Sequence, residues 1–177
     1  MKLVDYKSAL KTLKNGLPII FPTDTLPAIG CLPEFSNIIY EFKKRDKSKP
    51  LILMGSKHKQ LIDYVHESAK EDYEKIASKY WPGALTIVIP SSEKQTGILT
   101  SKDLTLGLRI PNLNIAQSLL RETGPLLTSS ANISGFTGSM TAEGIALDFP
   151  SVKILGPIPW AKGSGKASTI KIGRAHV

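Results

Sequence analysis

The chain has 177 residues, 41% hydrophobic and 21% charged, which fits one globular domain with a real core and excludes a disordered or fibrous chain. Its 23 Lys and Arg exceed 15 Asp and Glu, and the net charge of +8 suits an anionic ligand or a nucleic-acid surface. Cys31 is the single cysteine, so an intramolecular disulfide and a cysteine metal cage are excluded. No apolar run approaches the roughly 18 residues of a membrane span. Polar residues begin too early for a secretory signal, so the expected location is the cytoplasm.

Val4, Ala9, Leu10 and Leu13 fit an amphipathic first helix that stops at Asn15-Gly16. Residues 18–21 read as a short buried strand. Residues 35–44 read as a helix with Ile38, Ile39 and Phe42 on one face, followed by a strand over 51–54. Ser56 is the expected N-cap of a helix reaching Val65, and residues 67–80 form the next. Strands over 84–89 and 105–110 end at Pro90 and Pro111. A helix over 114–122 stops near Gly124, a strand over 126–128 follows, and Thr141 caps a helix to Leu147. Lys153–Leu155 and residues 168–172 are late strands. This mixture predicts an α/β fold with a twisted, mixed sheet.

Two polar elbows follow apolar runs: Pro22-Thr23-Asp24-Thr25 and Thr128-Ser129-Ser130-Ala131-Asn132-Ile133-Ser134-Gly135. They carry small neutral donors at strand ends, where α/β sheets bind ligands, and so predict one shared small-molecule site. In Lys43-Lys44-Arg45-Asp46-Lys47-Ser48-Lys49-Pro50 the cations complement a helix end, or Lys43 and Arg45 reach one polyphosphate. Trp81-Pro82-Gly83-Ala84-Leu85-Thr86 is an aromatic turn entering a strand, and Arg109 closes another strand with a cation. Gly163-Ser164-Gly165-Lys166-Ala167-Ser168-Thr169 imitates a phosphate loop. It lacks the upstream glycine, and Ala167 replaces the hydroxyl that would hold magnesium, so it is not a Walker A loop. His58 and His66 lack zinc spacing, no Gly-x-Ser-x-Gly elbow is present, and no metal site is expected.

Taken together, Pro22-Thr23-Asp24-Thr25, Lys43-x-Arg45 with Lys49-Pro50-Leu51, Trp81-Pro82-Gly83-x-Leu85-Thr86, Arg109-x-Pro111, Thr128-Ser129-Ser130-Ala131-Asn132-x-Ser134-Gly135 and Ser168-Thr169-Ile170 occur in one order. In this the chain resembles the YrdC/TsaC family, the threonylcarbamoyl-adenylate synthases, over residues 18–170. The resemblance implies a YrdC-like α/β fold: a twisted, mixed open sheet flanked by helices, with a concave, positively charged cavity. It implies synthesis of threonylcarbamoyl-AMP and pyrophosphate from L-threonine, bicarbonate or CO2, and ATP, for tRNA t6A37 modification. By the same resemblance Lys43, Arg45, Ser130, Asn132 and Ser168 bind ATP, with Lys43 and Arg45 catalytic. Thr23, Thr25 and Arg109 bind threonine, and Mg2+ rides on the phosphates. The product would pass to a tRNA threonylcarbamoyl-transferase complex, with tRNA or double-stranded RNA as a further contact. The alternative is a non-enzymatic RNA-binding module of the same fold.

The sequence departs from the family pattern at Leu26-Pro27-Ala28, where Tyr-Gly-Leu is usual, and at Ala167, where proline is common. The residues from Ile172 to Val177 read like a translated sequencing adapter, so the expected domain is 1–171 and the expected non-native tail 172–177.

Overall fold

The strand Ile19–Phe21 is buried on both faces, and its alternation sets the layers: Ile19 and Phe21 enter one apolar cluster, Ile20 the other. In the computed structural model, residues 1–92 and 104–173 are described. The first half of the chain runs β1 (Lys2–Val4), α1 (Tyr6–Lys14), β2 (Ile19–Phe21), β3 (Ala28–Cys31), α2 (Asn37–Lys43), β4 (Ile52–Met54), α3 (His58–Leu61) and α4 (Lys70–Tyr80). The second half adds β5 (Leu85–Pro90), β6 (Thr105–Arg109), α5 (Asn114–Thr123), β7 (Leu126–Ser130), α6 (Ala142–Asp148), β8 (Lys153–Leu155) and β9 (Thr169–Ile172).

The strands form one mixed sheet in the order β1-β8-β2-β3-β7-β4-β6-β5-β9. Residues of α1 and α5 (Ala9, Leu13, Ala116, Leu119 and Leu120) pack on one face with Ile19, Phe21, Ala28 and Met54. Residues of α2, α4 and α6, among them Ile39, Tyr73, Ala77 and Ile145, cover the other with Ile20, Leu53, Leu108 and Leu127. This is the mixed α/β sheet that the sequence predicts. The strand pair β3–β7 is antiparallel and sets Ala28 opposite Ser130, which joins the two polar elbows at the centre of the sheet.

Five elements differ from the sequence reading. The first helix begins at Tyr6, because the Asp5 carboxylate accepts from Ser8 N at 2.8 Å and caps it. Val4 belongs instead to β1, whose partner β8 lies some 150 residues away and leaves no local signal. The strand β3 was unanticipated because Ala28 and Gly30 have weak strand propensity. Gly30 packs closely there, since a Cβ would lie 3.0 Å from the Phe21 ring and 3.2 Å from Thr128 Cγ2. Lys57, not Ser56, is the N-cap of α3; Ser56 N and Oγ both donate to Gln60 Oε1, and the helix gives way to a 3-10 turn over Ile62–Tyr64. The helix expected over 67–80 is a 3-10 turn over Glu67–Ala69 followed by α4.

At the other sheet edge Ile172 pairs with Val88, and Gly173 N donates to Val88 O at 2.8 Å. The rest of the expected tail, residues 174–177, lies outside the described residues. Among the described residues, no helix is long and apolar enough to cross a membrane.

Candidate active site

The first elbow leaves β2 as a chain of directed hydrogen bonds. Arg109 can only donate, so its Nη1 donates to Thr25 Oγ1 at 2.7 Å. Thr25 Oγ1, 3.0 Å from Thr23 Oγ1, then donates to it, and the Thr23 hydroxyl in turn donates to Leu26 O at 2.7 Å. Thr25 N also donates to Thr23 Oγ1 at 3.1 Å, closing the turn. Thr23 is therefore the brace of the elbow, 2% exposed and absent from the cavity walls, while Thr25 presents the elbow to the cavity.

Arg109 ends β6 and is 3% exposed. Its Nη2 bonds Asp24 Oδ1 at 2.7 Å and its Nε donates to Gly83 O at 3.2 Å. With Thr25 this occupies three of the five guanidinium N–H groups and fixes the plane of the fork. Burial lowers the affinity of Arg109 for its proton, and the neighbouring Asp24 carboxylate opposes that shift.

Lys43 closes α2, whose chain turns away through Lys44 in the left-handed conformation at φ 49°. The Lys43 side chain is 1% exposed. Its Nζ donates to Ser130 O and lies 3.4 Å from Asn132 Oδ1. Neither contact carries a formal charge. Burial, with the nearby Arg45 cation, brings the Lys43 pKa down to about 8.

Asn132 is fully engaged. Its Oδ1 accepts from Ser130 Oγ at 2.5 Å, and its Nδ2 donates to Ile133 O at 3.0 Å and Phe136 O at 2.7 Å. Arg45 is held over the end of its loop by Lys49 O at 3.2 Å and Pro50 O at 3.0 Å. Ser168 Oγ lies 2.8 Å from Thr86 Oγ1.

Five of the expected residues, Thr25, Arg45, Arg109, Ser130 and Ser168, line one cavity of about 190 Å3. Carbon from Leu26, Ala28, Ile52 and Met54 adds to its walls, and none of its described lining residues is acidic. A second cavity of about 390 Å3 shares Leu26 and Ser130 with it and includes Asn132. Lys43 is buried directly beneath Ser130 and lines neither.

The Gly163–Thr169 segment, dismissed as a Walker loop, forms a wall of both cavities through Gly165, Ala167 and Ser168. It is strapped to the first elbow by Ser164 N to Asp24 O at 3.0 Å and Gly165 N to Thr25 O at 3.2 Å. A Cβ at Gly163 would collide with the Thr25 carbonyl oxygen, so the close approach requires glycine.

His58, His66 and Cys31 line neither cavity. His58 meets the Tyr73 and Trp81 rings edge-on at centroid distances of 6.3 and 6.0 Å. His66 caps the turn at Ser68 N. The buried Cys31 thiol is pushed up to about 12, which leaves little thiolate at neutral pH.

Sequence reasoning missed the roles of Asp24 and Thr86, although both lie inside recognised motifs. It also missed Ile52 and Met54, whose period-two spacing on β4 places them on the cavity face and Leu53 in the opposite core.

Comparison with known proteins agrees with this architecture. The Sua5/YciO/YrdC family model, described as telomere recombination, matches residues 11–170. A protein of Yersinia pestis named threonylcarbamoyl-AMP synthase is 31% identical over 152 residues, covering 82% of this chain and 80% of that protein. The crystal structure of P. abyssi Sua5 complexed with L-threonine superposes with a TM-score of 0.84 at 28% identity; it covers 97% of this chain, which spans about half (54%) of that Sua5 chain. E. coli YciO shares the fold at a TM-score of 0.77 and 22% identity, covering 97% of this chain and 88% of its own. With a family match that takes in most of its length, the chain belongs to the Sua5/YciO/YrdC family.

Proposed function

We propose that this protein is a threonylcarbamoyl-AMP synthase, a nucleotidyltransferase that joins L-threonine, bicarbonate or CO2, and ATP with release of pyrophosphate. The observation that carries the reading is the small cavity in which Arg45, Arg109, Thr25, Ser130 and Ser168 converge with no carboxylate among its described lining residues. Its cations fit a substrate pair bearing a carboxylate and a triphosphate. The relatives' name and the threonine complex of Sua5 point the same way.

The two N–H groups of Arg109 not engaged by the described residues would take the threonine carboxylate as a fork, with Thr25 beside it. Thr23 acts through Thr25. Lys43 and Arg45, with the Ser130 and Ser168 hydroxyls, would neutralise and orient the phosphates. Asn132 serves this set by holding Ser130 Oγ and Lys43 Nζ.

In the reaction, the neutral threonine amine forms an N–C bond to CO2 and loses a proton, giving a carbamate. A carbamate oxygen then bonds the α-phosphorus, and the bond from that phosphorus to the pyrophosphate oxygen breaks. Such a transfer asks for positioning and charge neutralisation more than for a side-chain nucleophile. Mg2+ enters as part of the ATP substrate. The adenylate would be handed to a separate tRNA threonylcarbamoyl-transferase complex in the cytoplasm. No observation on the fold or the site favours the RNA-binding module.

The test is pyrophosphate release from ATP with bicarbonate present, scanned over the twenty amino acids. The expected result is release with threonine and its loss when bicarbonate is withheld. A folded protein that releases none would overturn the synthase reading.

A further inference from the structure

The loop that follows Arg45 has little packing of its own: Asp46, Lys47, Ser48, Lys49 and Pro50 are all exposed. Hydrogen bonds hold it instead. Ser48 N donates to Asp46 Oδ1 at 2.8 Å and Lys49 N donates to Asp46 O at 3.1 Å, which folds the loop on itself. Those bonds are internal, and they do not fix the loop against the rest of the protein.

Tyr40 supplies the tie to the core. It stands on α2 one turn before Lys43, is 6% exposed and belongs to the larger apolar cluster. Its backbone oxygen accepts from Arg45 N at 2.9 Å while Lys44 N donates to Glu41 O at 3.2 Å, the paired bonds that end a helix on a left-handed residue. Its hydroxyl donates to Lys49 O at 3.2 Å. One buried residue therefore holds the loop at both ends.

The second of these bonds bears on the guanidinium. Arg45 Nε donates to the same Lys49 O at 3.2 Å, and Nη2 donates to Pro50 O at 3.0 Å. A carbonyl oxygen has two lone pairs, so the Tyr40 hydroxyl and Arg45 Nε fill it between them. The two carbonyls take one edge of the fork. Its other three N–H groups have no partner among the described residues, and Arg45 lines the cation-lined cavity. Tyr40 lines neither cavity. We propose that Tyr40 is a positioning residue for Arg45: its hydroxyl fixes the Lys49 carbonyl that orients the guanidinium at the cavity. The assignment rests on the reading of this cavity as the place where ATP phosphates bind. A cation oriented before the ligand arrives loses less freedom on binding it, so the hydroxyl contributes affinity without touching the ligand.

Tyr40→Phe removes the hydroxyl and leaves the ring in the core. Calorimetric titration with ATP of wild type, Tyr40→Phe, Arg45→Gln and the double variant tests the assignment, together with solvent exchange of the Arg45 Nε–H signal in NMR of the ligand-free protein. Tyr40→Phe is expected to weaken ATP binding about three- to tenfold in the wild-type background and by less than about twofold in Arg45→Gln, and to speed the Nε–H exchange at least about threefold. Unchanged ATP affinity in Tyr40→Phe would overturn the assignment. Equal weakening in both backgrounds would overturn it too, since the hydroxyl would then act on the site without Arg45. A wild-type protein that binds no ATP would contradict the nucleotide reading, and the Nε–H signal then decides for Tyr40 alone: faster exchange in Tyr40→Phe upholds the clamp, and equal exchange overturns it.

Discussion

Arg109 and Lys43 are both buried cations at the same site, yet they are held in opposite ways. Arg109 has a carboxylate partner, Asp24, and two further acceptors, so its charge is compensated before any ligand arrives. Lys43 has a backbone carbonyl and an amide oxygen, and its pKa falls to about 8. The first arrangement fixes a fork in space; it supplies geometry. The second keeps a charge whose contacts among the described residues are neutral oxygens, so its desolvation goes without a carboxylate partner there. One corner pairs its cation with a carboxylate, and the other holds its cation without one among the described residues.

Breaking the paired corner has the larger expected effect on stability. Asp24→Ala leaves the Arg109 guanidinium buried without its carboxylate, and removal of one partner from such a pair costs about 3–5 kcal/mol. Urea unfolding measures it. Asp24→Asn keeps an acceptor oxygen and is expected to lose less; equal stability of wild type and Asp24→Ala would show that Asp24 is incidental to Arg109.

Breaking the unpaired corner is expected to do the reverse. Lys43→Met removes a desolvated charge and fills its volume with carbon, so Tm at pH 7 is expected to rise by about 2–4 °C, roughly 1 kcal/mol in a chain of this size. Pyrophosphate release should fall at least about tenfold, because a hydrogen bond to a charged group contributes about 1.5–3 kcal/mol. The sign agrees with the titration. The unfolded chain holds the Lys43 proton up to about 10.5 and the folded chain only to about 8. Between those values the unfolded state binds more protons, so wild-type stability gains with rising pH, and the burial penalty is complete below that window. A lower Tm for Lys43→Met would mean that the lysine is chiefly structural.

The sheet was legible where strands and helices carry their own periodicity, as in Lys153–Leu155 and the Thr141-capped α6. It was illegible where pairing is long-range, as for β1, or where packing demands residues of poor strand propensity, as at Gly30. Within the site, the motifs showed which residues gather. They did not separate Thr25, Ser130 and Asn132, which line the cavities, from Thr23, whose hydrogen bonds are spent on bracing the elbow. Hydrogen-bond direction and burial, which no spacing encodes, make that division. The phosphate-loop imitation at Gly163–Thr169 shows the same limit: it fails as a Walker motif, yet the fold uses it as a cavity wall.

The most direct test of the contrast is ATP affinity measured from pH 7.5 to 9.5 in wild type and in Lys43→Met. If Lys43 is the charge held for phosphate, wild-type affinity falls by up to roughly tenfold per pH unit above about 8, and the variant binds weakly with a flat profile. A flat wild-type profile, or the same inflection in Lys43→Met, would contradict it.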